Sequence, residues 1–219
     1  MLTLASTQTI DTTLAQPSLS TVGVPHADWR TTVPTLRSQS VSVRELRLSD
    51  ARNLHAMLTT EEVARFISPP PTTVEGFEGF IRWTLRQRAE GQYVCFGIVP
   101  AGRTEAVGII QVRALDQRFG VGEWGFAIGR ELWGTGAFVA AARLVLDFVF
   151  TEMPTNRLEA RAVVENGRGN GVLKKLGAVC EAVLRQSFAR NGAPTDQRLW
   201  SILREHWISA KVTWGGPVH

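Results

Sequence analysis

The stretch from Glu123 to Phe150, EWGFAIGRELWGTGAFVAAARLVLDFVF, constrains the fold more than any other. A short alternating strand pattern runs into a glycine-bearing turn and then directly into a helix with an apolar stripe. The turn, Trp133-Gly134-Thr135-Gly136-Ala137, sets two glycines two apart at a helix N-terminus. The first amides of a helix have no intrahelical partner, and the helix dipole adds partial positive charge there. Such an end holds phosphate without needing basic side chains. The turn therefore points to a diphosphate-bearing cofactor.

Charge and composition narrow the partners. The net charge is +4, and only Lys174, Lys175 and Lys211 among the 24 basic residues are lysines. The arginines are scattered among acids without a block of like charge, so a nucleic-acid partner is not expected. Cys95 and Cys180 are too few for a disulfide framework, and the four histidines form no ligand pair, so no metal is expected. No apolar run approaches membrane-spanning length, and the N-terminus lacks a basic segment followed by an apolar one. The reading is a cytoplasmic protein without a membrane partner, monomeric or homodimeric.

Residues 1–35 are rich in Ser and Thr and lack periodicity. They read as a poorly ordered extension before a domain over 36–219, with Trp29 and Leu36 available to dock on it. Arg44 to Leu48 alternates as a first strand, and Ser49 or Asp50 caps a helix burying Leu54, Met57 and Leu58. After Pro69-Pro70-Pro71, Thr72 with Glu75 reads as a capping box for a helix with Phe77, Phe80, Ile81 and Leu85 on one side. A hairpin over Tyr93–Val99 and Ala106–Leu115 follows, then Gly122–Ile128 and the long helix to about Glu152. Arg157–Val163 is a further strand. Gly167, Gly169 and Gly171 argue for a late start to the next helix, which stops at Gly177. Ala178–Ala189 and Gln197–Leu203 close the chain as a hairpin. The order predicts an α/β fold with a mixed sheet and helices on both faces.

In this order the elements resemble the GNAT superfamily of acetyl-coenzyme A-dependent N-acetyltransferases, and within it the ribosomal-protein (Rim-type) branch. The carriers are Val43-Arg44-Glu45-Leu46 with Asp50, Glu123-Trp124-Gly125-Phe126, Trp133-Gly134-Thr135-Gly136, Arg157-Leu158-Glu159-Ala160, Glu165-Asn166 and Leu173-Lys174-Lys175-Leu176-Gly177. Leu199-Trp200-Ser201-Ile202-Leu203 with Trp207 resembles the closing strand. The resemblance implies a mostly antiparallel sheet splayed between its two central strands. It implies acetyl-coenzyme A as co-substrate, its diphosphate held by the backbone amides of Gly134, Thr135, Gly136 and Ala137 beside Trp133. Phe126 and Ile128 would pair with the pantetheine arm, and Asn166 would contact the cofactor near its thioester.

Where relatives carry Gln or Arg three positions before the first of these glycines, this chain has Glu131. Where the Rim-type pattern has serine, it has Gly169. The acceptor implied is a primary amine, first of all the N-terminal α-amine of a protein or peptide, and alternatively a polyamine or aminoglycoside-like compound. Glu123, two residues before Gly125 on the splayed strand, is the candidate general base, and an ion-paired strand residue is the plainer reading of the same position. With a single tyrosine, Tyr93, on another strand, the general-acid role stays empty, which keeps open a non-catalytic acyl-coenzyme A sensor.

Overall fold

Eight strands form one sheet in the order β1-β2-β3-β4-β5-β6-β8-β7. The computed structural model describes residues 28–190 and 193–214. The strands are β1 (Leu36–Arg37), β2 (Val41–Glu45), β3 (Tyr93–Pro100), β4 (Gly108–Ala114), β5 (Val121–Ile128), β6 (Arg157–Val163), β7 (Val179–Arg190) and β8 (Ala193–Leu203). The helices are α1 (Ala51–Leu58), α2 (Glu61–Ala64), α3 (Val74–Ala89), α4 (Ala137–Glu152), α5 (Gly167–Lys175) and α6 (Arg204–Trp214). Neighbouring strands are antiparallel except β5 and β6. The mixed, mostly antiparallel sheet expected from the sequence is the one observed.

Period-two alternation sorts the core into two layers. On β3, Val94, Phe96 and Ile98 pack with α4, which buries Phe138, Ala141, Ala142, Val145, Phe148 and Val149. Tyr93, Cys95 and Val99 face the other way, onto Leu54 and Leu58 of α1 and Phe77 and Ile81 of α3. Both faces of β3 are thus covered, which explains its continuous apolar run. Trp29 and Val33, from the segment read as an extension, lie within the α4 layer, with Trp29 edge-on to Phe119 at 5.6 Å. Residues 1–27 lie outside the described residues.

Four local expectations are corrected. The first strand ends at Glu45, and Leu48 is exposed in a short 3-10 turn. Asp50 is the cause. Its fully buried carboxylate accepts from the amides of Arg47 and Ala106 and from Arg44 Nη1 and Nη2 at 2.7–2.9 Å, drawing the chain out of the sheet. Burial alone would raise the Asp50 carboxyl, but these donors outweigh it and hold it below its ordinary range. The α3 cap is Thr73, one residue later than Thr72; its hydroxyl accepts from Gly76 N at 3.0 Å. Helix α5 begins at Gly167 despite its glycines, because Asn166 caps it by accepting from Gly169 N at 2.9 Å. Trp207 lies on α6 rather than in the closing strand and donates to Asp147 Oδ1 at 2.7 Å. The short α2 has no sequence expectation behind it.

Candidate active site

The turn between β5 and α4 is glycine-built for a conformational reason. Gly134 and Gly136 have φ of +77° and +79°, in the left-handed region that side chains disfavour. A β-carbon added at either would meet no heavy atom within 4 Å, so the space beside the turn is open. Within the turn, Trp133 N donates to Arg130 O at 3.0 Å, Thr135 N to Leu132 O at 3.4 Å and Ala137 N to Thr135 Oγ1 at 3.2 Å. The first helical bond of α4 runs from Ala140 N to Gly136 O. The amides of Gly134, Gly136, Phe138 and Val139 are left without an acceptor among the described residues. These four residues, and neither Thr135 nor Ala137, line a cavity of about 530 Å³. Of the four amides singled out in the sequence, two are free and two are used internally. Phe138 and Val139 replace them, as the orphan-donor rule for a helix's first turn would have indicated.

Cations gather at the same mouth. Arg168 lies over the Trp133 ring with its guanidinium carbon 4.0 Å from the centroid, and both line the cavity with Lys175. Arg130 is held by Glu62 at 3.2 Å. Glu131, the residue standing where relatives carry Gln or Arg, turns its carboxylate to Arg103 at 3.1 Å. Four free amides at the positive end of a 16-residue helix, flanked by Arg168 and Lys175, fit a diphosphate. Sequence reasoning does not reach Arg168, because nothing in a glycine-rich segment says which way its one long side chain lies.

The splay sits beside this cradle. β5 pairs with β4 along its length to Ile128, but with β6 only over Val121–Glu123 against Arg157–Glu159. Beyond Glu123 the two strands part, and the β6 side of β5 loses its ladder. Phe126 and Ile128 line the same cavity from this unpaired stretch, and Asn166 lines it from the start of α5. The Phe126 ring packs on Phe138 at 4.5 Å, which ties the strand to the first turn of α4. A cleft with an unpaired strand edge on one wall suits an extended, amide-bearing chain.

A second cavity, of about 950 Å³, opens on the other side of the splay. The two share Phe66, Ile67, Phe126, Ala127, Asn166 and Gly169 as common wall. Glu123 lines the second cavity, with 17% of its side chain exposed, and its carboxylate is ion-paired with both Arg113 and Arg161. Tyr93, on β3, reaches the same cavity and donates its hydroxyl to Gln111 Oε1. Burial pushes the Tyr93 phenol well above its ordinary value, with the nearby Cys95 adding to the shift. At Gly169 a β-carbon would come within 2.6 Å of Asn166 Nδ2, so the position is closed to a serine unless Asn166 moves. The arrangement joins an anion cradle, an open strand edge and a second chamber that holds a carboxylate.

Comparison with known proteins gives the family of this fold. The acetyltransferase (GNAT) domain matches residues 41–179. The chain is 28% identical over 174 residues to the N-acetyltransferase p20 of Bacillus licheniformis, covering 79% of this chain and 98% of that protein. It is 23% identical to the spermidine N(1)-acetyltransferase of Escherichia coli K12, over 81% of this chain and 94% of that one. Among solved structures it superposes on RimL, the ribosomal L7/L12 α-N-protein acetyltransferase in complex with coenzyme A. That match has a TM-score of 0.71 at 20% identity, over 78% of this chain and 98% of that one. With its domain match spanning more than half of its length, the chain belongs to the GNAT acetyltransferase family and is an N-acetyltransferase.

Proposed function

We propose that the chain moves an acetyl group from acetyl-coenzyme A to the N-terminal α-amine of a protein or peptide, by direct attack on the thioester. The observation that carries the acceptor side is the charge of the second chamber. Its one carboxylate among the described residues, Glu123, is already shared by two guanidinium groups. A polyamine needs carboxylates left over to meet its further ammonium groups, whereas an α-amine carries a single charge that it must lose before it reacts.

In this reading the diphosphate rests on the amides of Gly134, Gly136, Phe138 and Val139, beside Trp133, Thr135 and Ala137. The pantetheine arm lies along Phe126 and Ile128, and Asn166 stands at the junction of the two chambers. Glu123 takes the proton from the incoming ammonium, directly or through water. One of its ion pairs must open for this, and Arg113, with 54% of its side chain exposed, is the one able to swing into solvent. A main-chain amide of the unpaired part of β5 meets the oxygen on which negative charge develops. As the tetrahedral adduct collapses, the carbon–sulfur bond breaks and the proton shed by the attacking nitrogen passes through water to the departing thiolate, since the Tyr93 hydroxyl is engaged by Gln111.

The test is mass spectrometry of a cell extract treated with the protein and isotopically labelled acetyl-coenzyme A. Label on protein N-termini supports the proposal, and label confined to small amines assigns the alternative acceptor. Acetyl-coenzyme A binding with no labelled product from the extract or from an amine panel would return the sensor reading.

A further inference from the structure

Aromatic rings form part of the second chamber's lining. On α3, Phe80 and Trp83 stack at 6.2 Å with 25° between their planes, and Trp83 meets Tyr93 edge-on at 4.8 Å. All three face the chamber that holds Glu123, and Pro69 to Pro71 close it on one side. Trp83 keeps 40% of its surface exposed, so part of its ring stays open beside the chamber. Among the described residues the charged lining comprises Arg113, Arg161 and Glu123, which leaves one positive charge in excess. Such a chamber disfavours a basic group next to the reacting amine and favours an apolar one.

Resting on the peptide-acceptor reading, we infer that this N-acetyltransferase selects acceptors whose first residue is aromatic or bulky and apolar. That side chain sits against Phe80, Trp83 and Tyr93 while the α-amine points to the shared wall at Phe126 and Asn166. Small, acidic or basic first residues lack this seat, and a basic one also meets the excess positive charge. The chamber, at about 950 Å³, has room for such a side chain together with the first peptide units.

The experiment is a set of free-N-terminal peptides differing only at residue one (Phe, Leu, Ala, Ser, Lys), with phenethylamine and spermidine alongside. kcat/KM is read by thiol release, and acetyl-coenzyme A binding is checked separately by calorimetry. The expected result is a preference of about tenfold or more for Phe and Leu over Ala and Lys. In Trp83→Ala the Phe-to-Ala ratio should fall to within about twofold, and Trp83→Phe should restore most of it. Melting curves of both variants check that they remain folded. A preference for Ala, Ser or Lys peptides, or a Phe-to-Ala ratio unmoved by Trp83→Ala, overturns the inference. Turnover of phenethylamine with the same dependence on Trp83, and of no peptide, upholds the aromatic seat and overturns the peptide reading.

Discussion

Replacing Gly169 by serine separates two accounts of the missing hydroxyl. If a serine here merely supplied a proton, Gly169→Ser would raise turnover. The geometry argues otherwise. A β-carbon at Gly169 falls 2.6 Å from Asn166 Nδ2 and 2.9 Å from its Cγ, well inside contact distance. Asn166 must leave, and with it goes the cap bond from Gly169 N, worth about 1 kcal/mol. Against that, removing a glycine from α5 returns roughly 0.5–1 kcal/mol of helix propensity. The two nearly cancel, so the melting temperature should move by no more than about 2–4 °C. Function should not be spared, because Asn166 lines both chambers at their junction. A fall of about tenfold in kcat/KM for acetyl-coenzyme A is expected, corresponding to about 1.4 kcal/mol. The assay is a double-mutant cycle with Asn166→Ala, read by steady-state thiol release. Alanine at 166 has no amide to collide with, so Gly169→Ser should have little further effect in that background. Additive losses, or a rise in kcat with Gly169→Ser alone, would refute the argument.

Three other perturbations test separate parts of the account. Glu123→Gln should lower kcat by about 10²–10⁴ with acetyl-coenzyme A affinity changed less than about twofold, as measured by initial rates and calorimetry; an unchanged kcat would leave Glu123 as an ion-pair residue only. Asp50→Asn strands the buried Arg44 guanidinium and should cost about 3–5 kcal/mol in urea unfolding at pH 7. Because the folded Asp50 carboxyl is held below its ordinary range, its contribution is complete above that range and is lost as pH falls through the lower folded value. The gap between wild type and variant should therefore begin to narrow as pH falls below the ordinary aspartate value of about 3.9, and close only through the lower folded value. Gly136→Ala, which meets no steric obstacle, should still lose about 1–2 kcal/mol because its φ is +79°, and acetyl-coenzyme A binding should weaken with it.

What could be read in the sequence was local. The β5-turn-α4 unit is legible because strand alternation, two glycines and an apolar stripe lie within 28 consecutive residues, each carrying its own signal. The α4 core positions follow from helical period alone. The expected first strand runs past the observed end because Leu46 and Leu48 alternate as a strand would, while the force that ends it is the side chain of Asp50 reaching Ala106 on a distant loop. The expected start of α5 falls late because propensity counts three glycines against it and cannot weigh the cap on Asn166. The partners of Glu123 were equally hidden: Arg113 and Arg161 stand on β4 and β6, and only the sheet register brings them to either side of it. The cradle's amides illustrate the same limit in miniature. The glycines show where the turn is, but the hydroxyl of Thr135 takes up the Ala137 amide and the Leu132 carbonyl takes up that of Thr135.

The central claim is that main-chain amides at the start of α4 hold the diphosphate of the acetyl donor. Isothermal calorimetry of the purified protein with coenzyme A, set against pantetheine without the nucleotide diphosphate, tests it most directly. The account predicts clear binding of coenzyme A and at least about a hundredfold weaker binding of pantetheine, since the truncated compound leaves the cradle empty. Equal affinity for the two, or no heat with coenzyme A, would contradict it.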